Sequence, residues 1–114
     1  MNNLVISFLL FFLAQSMIWF QTNGQFMWPF FKDHPIIIAF TLGSAAGWVF
    51  FNATSYAVQH FNGLLWPGRF IGFGTGMIVF TILTYLIMGE NINAKTLVSL
   101  MLATIIICLQ IFWK

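Results

Sequence analysis

Charged residues are scarce in this 114-residue sequence, because four lysines and arginines and two acidic residues make up only 5% of it. A soluble domain usually carries about 25% charged residues, so the composition excludes an ordinary water-soluble fold. A net charge of +2 is also too sparse for a nucleic-acid-binding surface. Hydrophobic residues make up 61% of the chain instead. We therefore expect lipid to be the solvent of this protein.

Groups that carry out chemistry are scarce as well. The single cysteine, Cys108, excludes a disulfide or a cysteine-based metal site within one chain. His34 and His60 have no paired ligand at metal or haem spacing. The sequence contains no acidic pair, no Ser, His and Asp set and no glycine-rich phosphate loop. We therefore expect no enzymatic activity, no cofactor and no metal site.

Four apolar runs separated by short polar breaks predict four transmembrane helices, at about residues 4–21, 35–59, 68–88 and 94–113. Each run is close to the roughly 20 residues that cross a hydrocarbon core. The first run has no basic residue before it and is too long for a signal sequence, so it is predicted to be a retained span. The expected fold is an all-α membrane protein, one four-helix transmembrane domain over residues 1–114 with both termini on the same side.

The breaks between the runs contain recognisable end signals. Gly24 is predicted to close the first helix in the left-handed conformation, Pro35 to start the second and Asn93 to cap the fourth. The aromatic residues 25–34 are predicted to lie on the membrane surface. Four tryptophans near span ends fit an aromatic belt at the two interfaces, namely Trp19, Trp28, Trp66 and Trp113.

Basic residues are divided equally between the two predicted membrane sides. Lys32 and Lys95 fall on one side, and Arg69 and Lys114 on the other. Because the difference in Lys and Arg between short loops sets orientation, this sequence specifies neither orientation strongly. We predict that the chain inserts both ways and that two opposite copies pair.

Small and polar residues within the runs predict helix packing. Gly68, Gly72 and Gly76 form a stripe on the third helix, and Gly43 with Gly47 forms another on the second; small residues at this spacing let helices approach closely in lipid. Gln15 and Asn52 lie deep in the first and second helices, so both are expected to face the bundle interior. Their amides fit a purely structural role and the lining of a substrate cavity equally well.

Three short patches give the chain a resemblance to a known family. They are Leu13-Ala14-Gln15, Gly74-Thr75-Gly76, and Met88-Gly89-Glu90 followed by Ser99. In this order they resemble the small multidrug resistance family, within the drug/metabolite transporter superfamily. The resemblance implies a homodimer, often antiparallel, that moves small molecules by alternating access. The expected location is a cell inner membrane.

The chain also departs from that family. The family has an essential glutamate where this chain has Gln15, and an amide cannot titrate, so coupling to protons through this position is not expected. Trp48, Asn52 and Tyr56 are spaced by four and share a helix face. We predict a homodimer cavity lined by these residues and Gln15. The alternatives are a non-transporting subunit of a larger membrane complex and, less well supported, a pore-forming protein.

Overall fold

The computed structural model describes residues 2–113, which are mostly helical and contain no strand. Five helices follow one another, bounded by Asn3–Asn23 (α1), Pro29–Asp33 (α2), Pro35–His60 (α3), Trp66–Met88 (α4) and Ala94–Phe112 (α5). All but α2 are long and apolar enough to cross a membrane, with mean hydropathy between 1.7 and 2.0. The protein is therefore an all-α, multi-pass membrane protein with a four-helix bundle, as the apolar runs predict.

Two of the membrane helices contain a widened π-helical turn. It spans Ala39–Gly43 near the start of α3 and Thr84–Met88 at the end of α4. Turns of this kind leave the regular hydrogen-bond ladder and often occur at functional sites. Neither turn is apparent from the sequence.

The prediction for Gly24 is wrong. Its φ is −59°, an ordinary helical value, and its N–H donates to the Phe20 carbonyl before one 3-10 turn extends the helix to Phe26. The glycine is required for space, since a Cβ at this position would lie only 2.5 Å from the Phe31 ring. Gly24 thus lets the aromatic segment around α2 fold back onto the end of α1.

The other end signals behave as the sequence predicts. The Asn93 side chain accepts a hydrogen bond from the Thr96 N–H at 2.9 Å and caps α5. Pro35 occupies the first turn of α3. Between α3 and α4 the chain turns through Asn62 and Gly63, which both have positive φ.

The helix α1 is the centre of the bundle. It packs against α3 and against α4, whereas α5 packs chiefly against α4. The central core cluster joins α1, α3 and α4 through Phe11, Ala53, Ala57 and Ile71. In the apolar stretch of α4 33% of residues are buried, against 11% in α5. Most of the α5 surface is therefore left for lipid or another chain.

The two ends of the described chain lie on the same side of the bundle. The Asn3 side chain donates to Gln59 Oε1 at 3.4 Å, which places the start of α1 beside the end of α3. Trp113, after α5, lines one cavity together with His60 and Trp66. We call this side the terminal side, and the side with α2 and the α4–α5 connection the loop side.

Candidate functional site

Gln15, close to the middle of α1, turns its amide towards α4. Its Nε2 donates a hydrogen bond to the Gly72 carbonyl oxygen at 2.9 Å. The same oxygen accepts a bond from the Thr75 hydroxyl at 3.0 Å. A Cβ added at Gly76 would lie 2.7 Å from Gln15 Nε2. The amide thus occupies the space that a side chain at Gly76 would fill, and it joins α1 to the α4 backbone.

A second polar contact joins the same helices nearer the loop side. Trp19 is only 2% exposed, and its indole N–H donates to the Thr84 hydroxyl at 3.0 Å. Thr84 begins the π-helical turn of α4. The placement of Trp19 in the interfacial belt is therefore wrong. Trp19 and Gln15 are four residues apart and therefore lie on one face of α1. This spacing is the sequence feature that could have indicated the contact of Trp19 with α4.

The glycines of α4 meet neighbours on two different faces. A Cβ at Gly68 would lie 3.2 Å from the Ala57 Cβ of α3, and one at Gly72 would lie 3.1 Å from the Phe11 ring of α1. Gly74 faces α5 instead, where a Cβ would be 3.1 Å from the Ala103 carbonyl oxygen. Helix α4 thus admits close neighbours on both faces, which agrees with its being the most buried span.

The proposed cavity residues of α3 lie on a different surface from Gln15. The buried face of α3 contains Ala46, Val49 and Ala53, and Trp48 lies about 200° around the helix from Ala46. Trp48 is 70% exposed. Asn52 donates to the Trp48 carbonyl oxygen at 2.9 Å, within its own helix. The cavity shared with Gln15 would need a second copy of the chain, and it stays a prediction.

Tyr56 and the glycines of α3 complete the set of residues singled out by the sequence. Tyr56 is half-buried on the edge of the buried face. A Cβ at Gly43 would lie 3.2 Å from the Gln21 amide oxygen, whereas one at Gly47 would have no neighbour within 4 Å. Gly43 therefore faces α1, and Gly47 faces the outside of the chain.

Several more polar side chains project from α3 at membrane depth. They are exposed and have no apolar cover from the rest of the described chain: Thr41, Ser44, Thr54 and Ser55. The Thr41 hydroxyl donates a hydrogen bond to the Ile37 carbonyl oxygen at 2.8 Å. This bond lowers the free-energy cost of exposing the hydroxyl to lipid. Together with Trp48 and Asn52 these residues add polar groups to an outer surface of α3 that also exposes Phe40 and Phe51. We call this surface the outer α3 face.

The charged residues keep to the two membrane sides. Lys32 and Asp33 end α2, and Glu90 and Lys95 lie in and after the α4–α5 connection, all on the loop side. Arg69 lies in the first turns of α4 on the terminal side. Lys114, the other basic residue assigned to that side, lies outside the described residues. Among residues 2–113, no group of three His, Cys, Asp or Glu side chains could hold a metal ion.

An apolar groove of about 600 Å³ opens beside α1 on the loop side. It is lined mainly by aromatic and aliphatic side chains, which include Met17, Phe20, Trp28 and Phe31. The Trp28 ring packs against Phe20 and Phe31, with centroids 6.2 and 5.3 Å apart. Neither Gln15 nor the outer α3 face lines this groove.

Comparisons of the chain with protein-family models, with curated proteins and with solved structures found no match. The resemblance to the small multidrug resistance family therefore remains an expectation from the sequence patches around Gln15, Gly74 and Glu90.

Proposed function

We propose that this protein is a small membrane transporter of the drug/metabolite type that acts as an antiparallel homodimer. The main support is the outer α3 face, which carries an amide, hydroxyls and a large exposed tryptophan at membrane depth. A polar amide in hydrocarbon costs free energy unless it has partners. Asn52 satisfies only one donor within its own helix. A water-containing cavity between two copies would solvate the remainder.

The balanced basic residues support the antiparallel arrangement. Loop-side Lys32 and Lys95 are matched in number by Arg69 and Lys114 in the sequence, so neither orientation is favoured by the charge difference. Two opposite copies can then join the same face by a two-fold axis in the membrane plane. A residue near the middle of α3, such as Trp48, would lie close to that axis.

Gln15 bears on whether the proposed transport is coupled to protons. Its amide is neutral throughout the physiological pH range and can only donate and accept hydrogen bonds. The Nε2 group donates to the Gly72 carbonyl oxygen, so within one chain Gln15 joins α1 to α4 and lies on a different surface from the outer α3 face. We infer that substrate moves down its own gradient, with no proton exchanged at this position.

A non-transporting subunit of a larger membrane complex is the second candidate. Gly47 supports it, because no atom would lie within 4 Å of a Cβ there and a helix of another protein could approach. In that case a dry protein surface, and no water, would cover the outer α3 face. The two functions therefore differ in the solvent next to Asn52.

Thiol labelling distinguishes the two functions without a known substrate. Asn52→Cys in a Cys108→Ser background places a thiol on the outer α3 face, and native Cys108 provides a matched exposed thiol on α5. Both lie about five residues beyond the middle of their helices, towards the terminal side. A thiol reacts as the thiolate, which requires water.

We expect a membrane-impermeant maleimide to label Asn52→Cys rapidly in proteoliposomes and to label Cys108 slowly. Gln59→Cys, at the membrane surface, sets the rate for a fully hydrated thiol. Equal, slow labelling at positions 52 and 108 would contradict a water-filled cavity and would favour the subunit function.

A further inference from the structure

A small cavity with several polar side chains in its lining lies on the loop side. Its volume is about 100 Å³, and it lies between the end of α4 and the start of α5. Six of its eight lining residues carry a side-chain oxygen, namely Thr81, Thr84, Tyr85, Glu90, Asn91 and Thr96. Phe80 and Ile92 complete the wall, and no basic side chain lines it. Oxygen ligands of this kind suit hard cations.

Two of the three lining threonines already use their hydroxyl protons elsewhere. Thr81, only 8% exposed, donates to the Met77 carbonyl oxygen at 2.9 Å. The Thr96 hydroxyl donates to Asn93 Oδ1 at 3.1 Å. Each hydroxyl oxygen therefore keeps lone pairs that can accept a cation.

The end of α4 adds negative charge to the same region. Gly89 ends the helix in the left-handed conformation, with φ of 75°. Among the described residues, no N–H from positions 89–93 caps the last carbonyl groups of α4. Uncapped carbonyls carry the negative end of the helix dipole, which favours a cation. The π-helical turn that ends in Met88 supplies these carbonyls beside Thr84 and Tyr85.

The charge of the lining selects the class of cation. Glu90 is its single carboxylate, so one monovalent ion would make the site neutral. Sites for divalent ions generally use several carboxylates. We propose that this cavity binds an alkali cation of the Na⁺ type, with the Glu90 carboxylate as the charged ligand and the Thr84 and Thr96 hydroxyls as neutral ligands.

The site is connected to the centre of the bundle through Trp19. The Thr84 hydroxyl accepts the Trp19 indole N–H, and Trp19 lies one turn from Gln15 on α1. Occupation of the cavity would therefore hold α1, α4 and α5 together at the loop side. Cation binding at this cavity does not depend on the transport proposal.

Thermal unfolding in detergent tests the site on the whole chain. We expect NaCl to raise the unfolding midpoint in a saturable way, whereas choline chloride at equal ionic strength does not. Glu90→Gln should abolish the difference. Asp33→Asn is the matched control, because Asp33 is the other acidic residue of the chain and lies on the same membrane side but outside the cavity.

A second pair of variants covers the case in which Glu90→Gln does not fold. Thr96→Val should raise the Na⁺ concentration needed for half of the effect at least about tenfold. Thr104→Val, which removes an exposed hydroxyl elsewhere on α5, should leave it unchanged.

Three outcomes would overturn the proposal: equal stabilisation by choline chloride, a sodium effect that survives both Glu90→Gln and Thr96→Val, or a response to Ca²⁺ alone. A sodium effect in a protein whose Asn52→Cys is not hydrated would keep this site and remove the transport proposal. A hydrated Asn52→Cys with no sodium effect would keep the transport proposal and remove the cation site.

Discussion

Replacing Gln15 by glutamate should make the stability of the bundle depend on pH. A protonated carboxylic acid can donate to the Gly72 carbonyl oxygen as the amide does at 2.9 Å. An ionised carboxylate cannot, and it would set a negative oxygen against a carbonyl oxygen. We therefore expect Gln15→Glu to be stable at low pH and to lose stability as the pH rises and the acid ionises.

The expected losses of unfolding free energy for a charged and an uncharged side chain at position 15 differ enough to be measured. A hydrogen bond between membrane helices contributes about 0.6–1.7 kcal/mol, so Gln15→Leu should lose at most this amount at every pH. The Gly72 oxygen keeps the Thr75 hydroxyl in that variant. An unpaired buried charge costs about 3–5 kcal/mol, and Gln15→Glu should lose that much once it ionises.

The assay is the unfolding midpoint in a denaturing detergent, followed from about pH 4 to about pH 9. Gln59→Glu, which adds a carboxyl at the exposed end of α3, is the control and should show little pH dependence. A flat pH profile for Gln15→Glu would refute the contact with Gly72. If substrate flux is measured as well, wild-type flux driven by an imposed proton gradient would refute uncoupled transport.

Three further predictions concern packing and insertion. Gly74→Ala should destabilise the bundle by about 1–3 kcal/mol through overpacking against α5, whereas Gly47→Ala should have little effect on the monomer; chemical unfolding of both variants measures this. Trp19→Phe should cost about 1 kcal/mol by removing the donor to Thr84, and an unchanged unfolding midpoint would contradict that bond. Asn62→Lys should shift a mixed population towards one orientation, as reporter fusions at the two ends would show; a single orientation in the wild type would contradict dual insertion.

The sequence predicted the spans and their ends well because apolar run length and turn chemistry are local properties. Asn93 caps α5 through its own side chain, and the Asn62–Gly63 turn needs only its two residues. Tertiary contacts were predicted less well. The prediction for Gly24 depends on its ability to adopt positive φ. In the structure Gly24 instead leaves space for the ring of Phe31.

The polar contacts of the bundle show the same limit. Gln15 was correctly expected to face the interior, yet its partner is a backbone carbonyl, which no sequence pattern marks. Trp19 has the sequence position of an interfacial residue, but its side chain is buried and donates a hydrogen bond to Thr84. Trp48 and Asn52 point outwards because another face of α3 packs on α1. Their spacing of four residues shows that they share a face, but it does not show which face meets α1.

The most direct test of the antiparallel homodimer is a cross-link between two copies of α3. Thr41 and Ser55 are exposed and lie seven residues before and after Trp48, about two turns away towards either end of the outer α3 face. Chains carrying Thr41→Cys and chains carrying Ser55→Cys, each with Cys108→Ser, are co-expressed and treated with a short bifunctional thiol reagent. We expect position 41 of one copy to link to position 55 of the other, with little self-linking. Preferential 41–41 and 55–55 links would show a parallel pair, and no link would show that the outer α3 face is not covered by a second copy.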